Sequence, residues 1–468
     1  MGNISELHDN LRNGQTTAVK TVQSFLDRIN ENKDLNAFLE VFEENALKRA
    51  KEVDEQVGNG QFGKLTGVVI ALKDNIVFEG HQVSASSKIL EGFESLYSAT
   101  VVNRLLDEGA IIIGRTNCDE FAMGSSNENS AFGDVLNPLD RTRVTGGSSG
   151  GSAAALAADL CHISLGSDTG GSIRQPASFC GLIGVKPTYG RVSRYGLIAY
   201  ASSFDQIGPF AKSVDDAALV TEVISGGDDF DATCSSRPVE SFSTATKLEG
   251  KKRFAYLNQT IEMDGLNPEV KAGFMAKVDQ LKADGHEVTA VDFPYLDQMV
   301  PTYYVLTTAE ASSNLSRFDG MRYGYRSEKA HDLESTYKLS RAEGFGPEVK
   351  RRIMLGTFVL SAGYYDAYYS KAQKVRRLVS EKVDEIFKDH DFIISPTTPD
   401  VAFKFGANAD DPIKMYLEDI YTVMANLAGI PAISFPIGNN SDGLPFSMQV
   451  MAPKFKESEA FAAAHSLA

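Results

Sequence analysis

Apolar positions follow two rhythms along this chain. In the first sixty residues they recur at helical spacing: Val22, Phe25, Leu26 and Ile29 share one face behind Thr17, a residue suited to cap a helix, and a charged, alanine-containing stretch continues to Val57. From Gly67 onward, short apolar runs alternate with helix-like segments. Residues 68–72, 111–113 and 163–165 read as buried strands. Ser98 is placed to cap a helix over 101–108 that stops at Gly109, and 153–158 reads as a helix of small residues.

The second half repeats this grammar more loosely. Residues 254–257 and 288–291 predict strands around a helix whose face is Val270, Phe274, Val278 and Leu281 and which closes near Gly285. A mostly helical stretch follows over 296–387, with Val375, Leu378, Val379, Val383 and Ile386 at helical spacing, before strands at 392–395 and 432–435 that each end against a proline. Strand and helix in alternation predict a broad mixed β-sheet covered by helices on both faces, an α/β fold. No linker, repeat or low-complexity segment divides the 468 residues, so one large unit is expected rather than separate domains.

Composition narrows the function. With 62 acidic and 46 basic residues the net charge is −16, and the longest basic clusters, 251–253 and 350–352, hold three residues each. A chain that gripped nucleic acid alone would need a basic face to release counterions, so direct, tight RNA binding is disfavoured. The four cysteines, Cys118, Cys161, Cys180 and Cys234, form no CxxC pair or zinc spacing, and no metal site is expected. No charged-then-apolar leader opens the chain, and no apolar run approaches the roughly 20 residues that span a bilayer. These features point to a reduced, cytoplasmic protein without membrane contact.

The chemistry concentrates in two glycine-serine clusters, 146–152 and 166–172, and in Lys73 at the end of the apolar run 68–72. Glycine turns let backbone N–H groups face a ligand and hold negative charge. A serine nucleophile also needs a base. Gly146-Gly147-Ser148-Ser149-Gly150 fits the nucleophile elbow of histidine-dependent hydrolases, with His286, His331 and His390 downstream, but residues 136–145 before it are polar and contain Pro138. A neutral lysine can serve instead if burial lowers its pKa. Asp74 and Asn75 continue a polar turn at the end of that strand, where active sites of α/β sheets gather. Ser148 and Ser172 are 24 residues apart, enough for one helix and one strand to return the second cluster beside the first. A phosphate-binding loop would need a Lys-Ser/Thr ending, which Gly151-Ser152-Ala153 lacks.

The string 146–152, followed by Asp168-Thr169-Gly170-Gly171-Ser172-Ile173-Arg174-Gln175-Pro176-Ala177, resembles the amidase signature family. Within that family, Arg194-Tyr195-Gly196-Leu197, residues 202–206, 346–352 and 411–419 resemble the A-subunit group of the tRNA(Gln) amidotransferases. The resemblance implies a signature core over 66–210, a helical N-terminal cap over 1–60 and a mostly helical insertion over 296–390. It implies Ser172 as nucleophile, Ser148 as a bridging serine after a cis peptide bond to Gly147, and Lys73 as base. Thr169, Gly170 and Gly171 are implied as oxyanion-hole donors, together with the Ser172 amide. Arg352 is implied for a glutamine carboxylate, Asp419 for its ammonium, and Tyr303 for the pocket wall. Arg174 and Asp168 are expected to fix the serine turn.

The implied reaction is hydrolysis of the glutamine side-chain amide, with ammonia passed on to amidate Glu-tRNA(Gln). The implied partners are B and C subunits, with charged tRNA contacted mainly through B. No cofactor is expected in this chain, ATP and Mg²⁺ being used on B. Relatives commonly run somewhat beyond the point matching Ala468. The sequence leaves three alternatives open: a free-standing amidase acting on another small amide, a histidine-dependent hydrolase, and a non-catalytic assembly subunit.

Overall fold

The computed structural model describes residues 3–407, 415 and 418–468. In chain order its strands are β1 Phe38–Val41, β2 Val69–Lys73, β3 Ile111–Thr116, β4 Leu136–Asn137, β5 Asp140–Val144, β6 Ile163–Asp168, β7 Ile183–Lys186, β8 Gln206–Ala211, β9 Arg253–Leu257, β10 Glu287–Val291, β11 Phe392–Pro396, β12 Ala432–Asn439 and β13 Pro445–Met451. Among the described residues, all but the β4–β5 hairpin join one eleven-stranded sheet, ordered β1-β3-β2-β6-β8-β7-β12-β13-β11-β9-β10. The sheet is mixed. β3, β2 and β6 run parallel, as do β11, β9 and β10, whereas the strands between them pair antiparallel.

Strand β2 shows why its sequence is a continuous apolar run. Alternate side chains point to opposite faces, and both faces are buried. Val69 and Ala71 pack with Ala153–Leu156 of the helix Gly150–Ala157 and with Val22, Phe25 and Leu26 of the helix Ala18–Glu31. Ile70 and Leu72 enter the opposite layer, which includes Val101, Val102 and Leu105 of the helix Thr100–Asp107. Lys73, at the end of this strand, inherits the same burial and is 0% exposed. β6 lies next to β2 in parallel register, Leu72 beside Leu165, so the turn that follows Asp168 opens beside Lys73.

Several local expectations give way to tertiary context. The N-terminal segment is not wholly helical: between the helices Ala18–Glu31 and Glu43–Gly58, Phe38–Val41 pairs antiparallel with β3 at the sheet edge. Ser98 does not cap the following helix; its hydroxyl accepts the Glu79 N–H at 3.1 Å, and Ala99 holds the cap position. β12 does not end at its proline but runs on past Pro436, with its register to β13 shifted between Pro436 and Gly438. Residues 296–390 contain the helices Leu296–Asn314, Leu333–Gly344, Pro347–Val359 and Lys371–Asp389. No helix among the described residues is long and apolar enough to cross a membrane.

Candidate active site

Lys73 Nζ lies 2.7 Å from Ser148 Oγ, 3.0 Å from Ser149 Oγ and 2.9 Å from Ser167 Oγ. Burial pushes its pKa down, against the pull of Cys118, Asp119, Asp205 and Asp168. A neutral amine offers two N–H donors and one lone pair, so three hydroxyls saturate it. Ser149 Oγ–H donates to the Ser167 carbonyl at 3.2 Å, and Ser167 Oγ already accepts the Asn75 side-chain N–H at 2.9 Å. Both therefore suit the acceptor role toward Lys73, so that once the amine is neutral the lone pair is left for the Ser148 proton. Nothing in the sequence marks Ser149 and Ser167 as partners of the lysine. Their only signal there was adjacency, Ser149 following Ser148 and Ser167 lying inside the second cluster.

The peptide bond Gly147–Ser148 is cis. The loop around it is held on both sides: Gly147 N–H donates to Gln175 Oε1 at 2.9 Å, and Asp119 N–H donates to the Ser148 carbonyl at 3.1 Å. Ser149 N–H donates to the Ser172 carbonyl at 3.3 Å, which ties the two clusters together. Ser148 and Ser149 are fully buried, whereas Ser172 is 8% exposed, so Ser172 is the hydroxyl of the group that a ligand can reach. Its Oγ makes no hydrogen bond among the described residues.

The turn Thr169–Ser172 supplies free amides. Among the described residues the N–H groups of Thr169, Gly170 and Ser172 make no hydrogen bond. Gly171, expected as a fourth donor, instead gives its N–H to Asp168 Oδ1 at 2.9 Å. Gly171 sits at φ +136°, in the backbone region that favours glycine, and a Cβ there would run into the Thr422 hydroxyl. Asp168 is fixed in turn by Arg174, whose Nε and Nη2 donate to its two oxygens at 3.0 and 3.1 Å, and by Asn426 Nδ2 at 2.9 Å. Burial raises the Asp168 pKa, but the Arg174 guanidinium and its hydrogen bonds outweigh this and hold the carboxyl below the usual range. Arg174 also reaches the Thr422 carbonyl and Gln449 Oε1, so the serine turn is braced against the opposite half of the sheet.

The expected ligand-binding residues gather on a neighbouring wall. Tyr303 packs over the glycine turn so closely that a Cβ on Gly170 would stand 2.5 Å from its Cζ and Oη. Arg352 is 4% exposed, donates to Glu348 Oε1 and to the Tyr200 hydroxyl at 2.7 Å each, and stacks 5.2 Å above the Tyr304 ring. Asp419 accepts the Tyr304 hydroxyl at 2.7 Å and the Ser125 hydroxyl at 3.1 Å. Burial pushes its pKa up to about 6, opposed by the Tyr304 hydrogen bond and by Arg352. Tyr304 thus touches both charged groups, a role with no signal in the sequence beyond its place next to Tyr303. Residues 411–414, 416 and 417 of the 411–419 string lie outside the described residues.

The three histidines are occupied elsewhere. His286 Nδ1 accepts the Lys252 N–H, His331 is exposed with its Nε2 3.9 Å from an Asp332 oxygen, and His390 Nδ1 meets the Ile386 carbonyl. The segment before Ser148 is the small β4–β5 hairpin, separate from the main sheet, and not the central strand that a histidine-dependent elbow requires.

The family model described as Amidase matches residues 20–461. The chain is 53% identical over 455 residues to the A subunit of glutamyl-tRNA(Gln) amidotransferase from Koribacter versatilis, covering 97% of this chain and 95% of that protein. It is 52% identical to the protein of the same name in Chlorobium phaeobacteroides, at 97% and 95% coverage. The crystal structure of the corresponding A subunit from Thermotoga maritima superimposes with a TM-score of 0.79 at 42% identity, covering 95% of this chain and 90% of that one. Native peptide amidase from Stenotrophomonas maltophilia gives 0.83 at 30% identity, with 99% and 96% covered. A family match across nearly the whole chain, with relatives at about half identity, leaves one assignment: the chain belongs to the amidase signature family.

Proposed function

We propose that this chain is the glutamine-hydrolysing subunit of a tRNA-dependent amidotransferase. The observation that carries the reading is the wall beside the serine turn, where Tyr304 joins a buried guanidinium to a buried carboxylate. A guanidinium suits a carboxylate and a carboxylate suits an ammonium, so the pair matches the zwitterionic head of an amino acid. Tyr303 lies between that wall and the nucleophile turn, where the side chain of the same ligand would run.

In the proposed reaction Lys73, uncharged, takes the Ser148 proton as Ser148 takes that of Ser172. Ser172 Oγ attacks the side-chain amide carbon of glutamine. The negative charge that develops on the amide oxygen is held by the amides of Thr169, Gly170 and Ser172. The proton returns through Ser148 to the leaving nitrogen, ammonia departs, and water cleaves the γ-glutamyl ester to release glutamate and free Ser172. The ammonia then serves a B subunit, which uses ATP and Mg²⁺ to convert Glu-tRNA(Gln) to Gln-tRNA(Gln) and makes most of the tRNA contacts. A C subunit completes the complex. The whole chain acts as one amidase domain in the cytoplasm, without a cofactor of its own.

A γ-electrophilic glutamine analogue is expected to label the assembled enzyme at Ser172, with mass spectrometry locating the adduct, and Ser172→Ala should remove it. Labelling by uncharged amides but not by the glutamine analogue would instead make the chain a free-standing amidase. Gly170→Ala provides a second check. Its methyl would displace the Tyr303 ring, and a shift on the order of 1 Å in a positioning wall is expected to cost about 10²-fold in kcat/KM for glutamine. Steady-state kinetics at wild-type level would remove Tyr303 from the pocket.

A further inference from the structure

The helix Pro347–Val359 that carries Arg352 has an apolar face on the wrong side. Its inner face buries Glu348, Val349, Arg352, Gly356 and Val359. Its outer face shows Met354, Leu355 and Phe358 to solvent, at 68%, 41% and 41% exposure, where an amphipathic helix would carry polar groups. Residues 362–368 follow as seven consecutive exposed positions that include Tyr364, Tyr365 and Tyr368. The Phe358 ring lies 4.3 Å from that of Tyr364 and 5.7 Å from that of Tyr368, so these side chains make one continuous surface. Single exposed apolar groups need no explanation, but contiguous ones mark interaction sites. Seven of the sixteen exposed large hydrophobic residues among the described residues lie between 354 and 378.

Charge sharpens the picture. Residues 347–378 hold seven basic and two acidic side chains, a local +5 in a chain of −16. Two of the exposed cations are matched inside the chain, Arg351 by Glu348 and Arg377 by Glu381. Lys371 and Lys374 remain at the rim, both exposed. Two cations beside six apolar groups are too few for a phosphate backbone, whose grip rests on many neutralised charges. The six apolar groups suit the centre of a protein interface, because Tyr, Phe and Met are enriched where proteins meet, and the two lysines suit its polar rim, facing carboxylates.

We propose that this face, Met354 to Tyr368, docks another protein component of the same enzyme, one that presents an apolar strip edged by acidic residues. The docked component covers the outer side of the helix whose inner side holds Arg352, so seating it restrains the ligand-binding wall. This inference rests on the reading of the chain as an amidotransferase subunit.

The test is co-purification and titration of the full chain with the B and C subunits from its own source organism. The triple variant Met354→Ser, Phe358→Ser, Tyr364→Ser is expected to raise the Kd by about 100-fold, since a few buried aromatic anchors dominate an interface. Labelling of Ser172 in the isolated chain should stay at the wild-type level. The control Leu333→Ser, Tyr337→Ser, on a different exposed apolar patch, should bind like wild type. Lys371→Glu with Lys374→Glu, which touches no apolar group, should weaken binding several-fold and flatten its salt dependence, and it decides the matter should the triple variant fail to fold. Wild-type affinity in the folded variants overturns the docking face, as does loss of tRNA binding while B and C still bind. Failure of the wild-type chain to bind B and C overturns instead the amidotransferase reading on which the face depends.

Discussion

Exchanging Lys73 for methionine is expected to lower glutamine hydrolysis by about 10³- to 10⁴-fold while leaving KM near its wild-type value. In the proposed relay Lys73 acts on the attacking hydroxyl only through Ser148 and does not touch the ligand's charged head, so the loss belongs to kcat. The same substitution should leave the melting temperature unchanged or raised. Burial lowers the Lys73 pKa, which means that an unfolded lysine binds a proton at neutral pH that the folded one disfavours. Folding is therefore penalised below the unfolded pKa, and the penalty stops growing once pH falls beneath the folded one. Methionine, of similar length and without charge, removes that cost. In the wild-type enzyme the expected sign for catalysis is opposite: activity should fall as acidification protonates Lys73, because an ammonium has no lone pair for Ser148. Near-normal turnover in the methionine variant, measured as ammonia release by the complex, would exclude lysine as the base.

Lys73 was legible in the sequence because local and tertiary demands coincide there. A continuous apolar run buried on both faces forces its last residue inward, and a lysine in that place needs a chemical reason. The glycine clusters were legible for a similar reason, since close backbone approach leaves a compositional trace. Asp168 lies within the second cluster and Arg174 two residues beyond it, and the structure joins them in the bracing role expected. The sheet was readable where strands are uninterrupted, as in β2 and β3. It was not where Gly208-Pro209 breaks β8 or where Phe38–Val41 lies in a charged, helix-like stretch, because pairing and not local preference makes those strands. The rest of the site depends on contacts between distant segments. Tyr304 meets Asp419 across 115 residues, Arg352 meets Tyr200 across 152, and nothing in the spacing of either pair announces it. The loss of Gly171 as a free amide was likewise invisible, since it turns on where the Asp168 carboxylate points.

With Asp419 as the proposed partner of the ligand's ammonium, the affinity for glutamine is expected to depend on pH in a way that identifies the groups around that carboxylate. Burial pushes its pKa up to about 6, so the carboxylate that would hold the ligand's ammonium is neutralised as pH falls through that value. KM is expected to rise below about pH 6, and Asp419→Asn should raise it by roughly 10- to 100-fold at neutral pH, the worth of one charge-assisted contact. Tyr304 separates this account from a structural role for Asp419. Its hydroxyl, 2.7 Å away, stabilises the ionised carboxylate, so Tyr304→Phe should move the KM inflection upward from about 6 while kcat at high pH changes little. Arg352 opposes the same rise in pKa through its positive charge, and Arg352→Gln should shift the inflection in the same direction, with a further loss of affinity from the missing carboxylate contact. An inflection that stays in place in both variants would show that some other group sets the pH dependence and that the Tyr304 wall does not hold the amino-acid head.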